Sequence, residues 1–599
     1  MADQLQDVIQ RWRKAVVEDG LRPEDHELFQ NAGLVYINQG DTTQLLDFIQ
    51  DEKNQGIVES MGCGLLASLV AEALKKKKKK SSSTCQAIIT HLAETCSPME
   101  LMLIFLGQVD DLHPDLIADT IVLMAPHLQT VLLRLGEEKA PWVGLALAAL
   151  QKQVSRLPVP YTKEQEVEDA YGLCRCCSAL ARFMEPFVEE VKRRDNSEDG
   201  GTASDNQLKT ELLKFCMGSL REPLLQAQLD QAIDIHKQSP LWHFATDILA
   251  TLPAIQEPLP GLLFYKALKK REESGLLTDS TEAQESRACL AYMLFVQFIT
   301  IESFPAVFSP VFVLQCNMEY IDLLLSRKKE SFLLKGLELY TKSLERVEDN
   351  SLPVELLDLK SFYSVPQHLV QILTVCPILH LRERGFKVLQ LFIDKLGPEA
   401  KHKFFRCMIK TSCHAGVEGY IIKNIKNQIE LSLKPGHENE WFMGIQVLPL
   451  LRLVLCFPRG PETDLLNSMD RVMESLNLLR YLLMRDMDWQ QTSSIWPELF
   501  KIKEDYLKML RVCLALSRAY YAGQVKNMRE DKKIQAQEAR EARGALVQTM
   551  TVKNKVSDMT PEMHYQVLQC ALVTFDLMES LVIRIEEISE EKVKTGTAV

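Results

Sequence analysis

A helix, a proline and another helix recur along this chain at intervals of roughly 40 residues, and that alternation allows few architectures. It is plainest from Asn350 to Leu396, NSLPVELLDLKSFYSVPQHLVQILTVCPILHLRERGFKVLQLFIDKL. The apolar run His368–Val375 meets Pro377, and an amphipathic run restarts at Leu381 and continues to Leu396. Leu381, Val388 or Leu389, Phe392 and Leu396 fall three, four or seven apart, which puts them on one helical face. Arg382, Glu383, Lys387 and Lys395 lie largely off that face. Pro377 cannot continue a helix and pushes Cys376 out of the helical region. The product is a helix pair that cannot bury both apolar faces alone. It needs a similar pair on each side, as in an α-solenoid.

The same grammar extends in both directions. Helix stops or breaks are expected at Gly40-Asp41, Ser97-Pro98, Pro126 and Pro186, with Pro141 in the first turn of a helix running to Leu157. Met61–Leu74 reads as one apolar helix. Later helices are expected over Glu462–Asp486, from about Pro497 to Ala522, and from Pro561 to about Glu591, with Thr560 as N-cap. Strand-like alternation is nearly absent, and 26 glycines and 25 prolines in 599 residues are few. The fold class is therefore all-α: an irregular HEAT-like helical-repeat solenoid. The intervals are too uneven for tetratricopeptide or ankyrin repeats. Residues 1–270 form an N-terminal set of repeats and 287–599 a C-terminal set. Polar stretches at about 193–208 and 523–558 are expected to be flexible, the second with extension of the preceding helix into solvent as its alternative, and a soft spot lies at 271–286 between the two sets.

A net charge of −12 argues against nucleic acid as a partner, since phosphate binding needs a concentrated basic face. The one basic block, Lys75–Lys80, reads as a solvated loop. Fifteen cysteines show no disulfide-framework spacing, the first residues have no signal-peptide core, and no uninterrupted apolar window implies a membrane span. Reduced thiols in the cytoplasm, or in cytoplasm and nucleus, follow.

The sequence holds no phosphate-binding glycine loop, no nucleophile elbow and no HExxH, so no catalytic residue and no cofactor is assigned. Cys174, Cys176 and Cys177 are the one constellation to weigh. Zinc needs a second matched pair of ligands, and the next cysteine, Cys216, stands alone. Burial as small apolar residues is the better reading. A long helical stack without catalytic chemistry points to protein recognition. An importin-like transport adaptor or a general scaffold is the alternative role.

Several long stretches carry a resemblance. LPVPYTKEQ with DAYGLCRCCSAL, SFYSVPQHLVQILTVCPI, FFRCMIKTSCHAGVEGYIIKNIKNQIELSLK, ETDLLNSMDRVMESLNLLRYL and PEMHYQVLQCALVTFDLMES resemble the glomulin family, in order and over nearly the whole chain. The resemblance implies an inhibitor of cullin–RING ubiquitin ligases. Its C-terminal helices would bind the RING domain of the RING-box subunit, held by a cullin, and block docking of the ubiquitin-conjugating enzyme. It also implies a part in vascular development, and immunophilins and a receptor tyrosine kinase as further partners. The final helix is apolar nearly all round, and a terminal repeat has no next neighbour to cover one face. Phe575, Glu579, Ile583, Arg584 and Glu587 are the contact residues expected there, with Arg480 and Arg485 on the Glu462–Asp486 helix as further candidates.

Overall fold

The computed structural model describes the chain except residues 1, 18–20, 40–41, 76–78, 111, 196–202, 230–238, 265–280, 486–495, 543–560 and 597–599. The described residues form an all-α helical-repeat protein whose contacts divide into two units, Met1–Arg346 and Val347–Val599. The soft spot read from sequence at 271–286 falls mostly outside the described residues, and helix resumes at Thr281. Of the polar stretch at 193–208, the helices Leu173–Asp195 and Ala203–Ser219 claim both ends. Of the basic block, Lys79 and Lys80 already belong to the helix Lys79–Thr95.

In the N-terminal unit two expected breaks do not occur. Ile117–Arg134 runs through Pro126, and Leu173–Asp195 runs through Pro186. An internal proline removes one backbone hydrogen bond and kinks a helix. Here burial on both sides of each proline outweighs that loss: Ile121, Met124, Leu128 and Val131 in the first helix, Phe183 and Phe187 in the second. The expected helix Met61–Leu74 is instead a short 3-10 stretch, Gly62–Leu65, followed by Leu66–Ala73. Gly62 allows the close approach, because a Cβ there would lie 2.7 Å from Leu92 Cδ2. Averaged hydropathy marks Glu52–Ala73, Pro114–Arg134 and Glu562–Glu591 as long and apolar enough to cross a membrane, although none is an uninterrupted apolar run. The first two are 61% and 56% buried in the fold and the third only 28%, so the third carries the uncovered apolar surface.

A buried polar network ties the residues after Leu224 to the end of this unit. Lys335 is 1% exposed and donates from Nζ to the Ala227 carbonyl, while Gln297 donates to the Leu229 carbonyl at 2.7 Å. Gln297 also donates to the Tyr292 hydroxyl, which donates to Glu338. Burial pushes the Lys335 ammonium down from 10.5 to about 8. The unfolded chain therefore binds more protons than the folded one between about pH 8 and 10.5, and the lysine's contribution to stability rises through that window. Wild type should accordingly gain stability relative to Lys335→Met as pH rises from 8 to 10.5, measured as the difference between two denaturant curves. A flat difference would show that the ammonium holds its proton in the fold as firmly as in the unfolded chain.

The helices of the C-terminal unit are labelled here α1 Lys360–Val375, α2 Leu379–Lys395, α3 Pro398–Thr411, α4 Ala415–Ser432, α5 Leu448–Val454, α6 Met469–Met484, α7 Trp496–Ala542 and α8 Pro561–Gly596. α1 and α2 are the pair read first from sequence. Val375 ends α1, Cys376 is extended, and Leu379 starts α2. Leu381, Val388, Leu389 and Phe392 are all buried. The preceding loop is stapled to the end of α2: Asn350 N donates to Asp394 O at 3.1 Å, Leu352 N to Lys395 O at 3.0 Å, and Gly397 N back to Leu352 O at 2.8 Å.

Along the unit α3 packs on α5 and α5 on α7, while α4 packs on α6 and α6 on α8. Each odd helix from α3 thus belongs to one layer and each even helix from α4 to the other, and α7 and α8 close the stack against each other. α6 starts at Met469, later than the expected Glu462. Asp464 explains the delay: its carboxylate accepts from Leu466 N and Asn467 N and holds a turn in place of helix. α7 continues to Ala542, so over residues 523–542 the expected alternative of a helix extended into solvent is the one found. That segment is rich in Ala, Glu, Gln, Lys and Arg, which favour helix even when exposed. The remainder of the expected flexible segment, and Thr560, lie outside the described residues.

Candidate functional site

The seam between α7 and α8 follows from the spacing of apolar residues in the last helix. Leu568, Ala571, Phe575, Met578, Val582, Ile585 and Ile588 recur three or four apart and are all buried. Phe575 packs its ring 5.7 Å from that of Tyr521 on α7. Tyr521 donates to Asp464 at 2.8 Å, and burial with that carboxylate pushes its phenol up. Charged contacts edge the seam. Arg518 pairs with Asp576 at 2.6 Å and with Glu579 at 2.5 Å, Arg511 pairs with Glu586, and Lys503 donates to Ser589 at 3.2 Å. Most are exposed pairs, worth about 0–1 kcal/mol each, so the apolar stripe holds α8 and the charges set its register.

The rest of α8 is apolar without being covered. Met563, Val567, Val573, Leu577 and Ile583 all lie off the buried stripe, and Val573 and Leu577 are 60% and 53% exposed. On α7, Val512, Leu516 and Tyr520 form an exposed row at four-residue spacing. Leu516 and Tyr520 also line a cleft of about 660 Å³ with Val567 and Leu466, and Glu462 and Asp464 add acidic groups to its lining. Apolar side chains gathered like this at the end of a helical stack are the usual mark of an interaction surface.

The residues expected from sequence fall on three parts of this region. Phe575 is fully buried and faces Tyr521, whereas Val573 and Leu577 near it in the chain are exposed. Glu579 is exposed and paired to Arg518, while Arg584 is exposed and paired to Glu587 at 2.8 Å. Ile583 is half exposed. Arg480 and Arg485 lie at the end of α6, with Arg480 half-buried and Arg485 exposed. The cleft residues Leu466, Leu516, Tyr520 and Val567 were not marked by sequence. The signal existed for Val567, which falls out of phase with the Leu568–Ile585 stripe. Nothing in the sequence alone could show that α7 brings Tyr520 beside it.

The cysteine cluster noted in the sequence is buried. Cys174, Cys176 and Cys177 are buried in the helix Leu173–Asp195, and burial pushes the Cys176 thiol up to about 12. Cys174 donates to the Glu166 carbonyl at 3.5 Å. Among the described residues no three His, Cys, Asp or Glu side chains stand where they could hold a metal ion.

Comparison with known proteins agrees over the whole length. A family model described as "Uncharacterised protein family, YAP/Alf4/glomulin" matches residues 1–548. Glomulin of Homo sapiens is 43% identical over 597 residues, 99% of this chain and 98% of that protein. Glomulin of Mus musculus is 43% identical over 599 residues, with the same coverage. Among solved structures, a circular tandem repeat protein with novel repeat topology aligns over 98% of this chain and 97% of its own at 11% identity. Its TM-score of 0.17 carries no argument.

Proposed function

The chain belongs to the YAP/Alf4/glomulin family, and from that premise we propose that it is a non-catalytic inhibitor of cullin–RING ubiquitin ligases. The observation that supports this most is the uncovered apolar surface of α7 and α8: Val573 and Leu577 are exposed on α8, and Leu516 and Tyr520 are exposed on α7 and line a cleft. The RING surface that receives a ubiquitin-conjugating enzyme is partly apolar, with basic and polar edges. Leu577 and Val573 would meet its apolar part, and Glu462, Glu579 and Glu587 its basic edge. Occupying that surface excludes the conjugating enzyme by volume alone. Neither an activated nucleophile nor a bound metal is required of this chain. Burial of apolar area supplies the affinity, and the rim charges steer the approach.

The test is a titration. Purified full-length chain should form a one-to-one complex with the RING-box subunit and suppress ubiquitin transfer by a reconstituted cullin–RING ligase. Inhibition should be relieved by raising the concentration of conjugating enzyme, since the two compete. Undiminished ligase activity at saturating chain would refute the proposal. Inhibition that excess conjugating enzyme cannot relieve would refute the steric mechanism.

A further inference from the structure

A second face of the C-terminal unit has the opposite character to the acidic chain that carries it. Phe386 on α2 is 45% exposed, and its ring centroid lies 4.5 Å from that of Tyr420 on α4. Two turns along α4, the Lys426 ammonium sits 5.4 Å over the ring of Tyr481 on α6. Those two contacts place the aromatic side chains of three successive even helices in one row. Cations accompany each: Lys387 beside Phe386, Lys423 one turn after Tyr420, and Arg480 next to Tyr481. Lys387 and Lys423 are exposed, while Lys426 and Arg480 are half-buried. Arg480 Nε is shielded from solvent with no acceptor.

The cations of this row form no direct ion pair. Among the described residues, Lys387, Lys423, Lys426 and Arg480 have no carboxylate within ion-pair distance. Elsewhere in the unit the cations are commonly paired, as Lys395 is with Asp349, Lys403 with Asp358, Arg471 with Glu418 and Arg518 with Asp576. In a protein of net charge −12, a row of cations without ion-pair partners beside exposed or half-exposed aromatic rings is a local patch that suits an anionic partner.

We propose that this face of α2, α4 and α6 docks an acidic, partly apolar segment of a partner protein. Its carboxylates would meet Lys387, Lys423, Lys426 and Arg480, and an apolar side chain would lie on Phe386 and Tyr420. A protein segment fits better than a nucleic acid. Glu383, Glu430 and Glu474 stand on the same three helices and would repel a continuous phosphate backbone, whereas a peptide can place its carboxylates between them. The proposal is independent of the ligase reading, since it uses neither α7 nor α8.

The experiment measures fluorescence anisotropy of the full-length chain with a short labelled Glu/Leu peptide. A Lys/Leu peptide of equal length and a single-stranded oligonucleotide are the comparisons. The Glu/Leu peptide should bind, with affinity falling as salt rises, and the Lys/Leu peptide should not. Combined Lys387→Glu and Lys423→Glu, both at exposed positions, should weaken binding about tenfold or more. Phe386→Ser alone should weaken it without changing the salt dependence. An acidic peptide that binds no better than the basic one, or equally well after charge reversal, would overturn the proposal. So would tighter binding of the oligonucleotide. RING-box binding measured on the same charge-reversed variant should be unchanged, which separates this face from the α7–α8 surface.

Discussion

Carboxylates at Val573 and Leu577 together should abolish binding to the RING-box subunit and leave the fold intact. Both side chains are more than half exposed, so a charge there is solvated in the free protein and should move stability by no more than about 0.5 kcal/mol. In the complex the same charges would be buried against an apolar surface without partners. Losses at such central positions run to about 2 kcal/mol or more each, so the pair should weaken binding by about a thousandfold. Phe575→Ala, two residues away, should behave in the opposite sense. That ring is fully buried against Tyr521, and its removal should cost about 3–5 kcal/mol of stability in the C-terminal unit. Calorimetry of the two variants beside a binding titration separates the roles. Full binding by the doubly charged variant would show that the partner is met elsewhere.

A charge in the first helix pair should have the largest effect on stability. Phe392 on α2 has no exposure and stands edge-on to Phe404 of α3, with ring centroids 5.5 Å apart. Phe392→Asp removes that packing and buries an unpaired carboxylate. The combined cost should exceed about 4–5 kcal/mol, a large part of the stability of a typical domain. The C-terminal unit should lose its cooperative melting transition, and RING-box binding should go with it, although Phe392 touches no partner. Phe392→Leu should restore both, because it keeps most of the apolar volume. Hydrogen exchange over α1–α4 would report the loss directly. Native protection in Phe392→Asp would show that the α2–α3 contact does not hold the unit together.

How much of this was legible in the sequence depends on the kind of feature. Pro377 did end a helix, since Cys376 before it is extended. Pro126 and Pro186 did not end theirs, because each sits between buried turns that keep the helix continuous. The candidate site divides in the same way. That α8 is too apolar to be an ordinary surface helix could be read from its composition. Choosing Phe575 as a contact could not succeed, because the stripe from Leu568 to Ile585 and the row containing Val573 and Leu577 are equally apolar in the sequence.

The sequence by itself determined the all-α class, the positions of most helices and the apolar excess of the last one, because 3.6-residue periodicity and proline chemistry act within a few residues. Tertiary structure alone decided which apolar residues of α8 are covered. That depends on α7 arriving with Tyr521 to meet Phe575, and with Arg511 and Arg518 to fix the register. It also decided that Phe386, Tyr420 and Tyr481, far apart in the chain, share one row, since only the packing of successive helices carries that information.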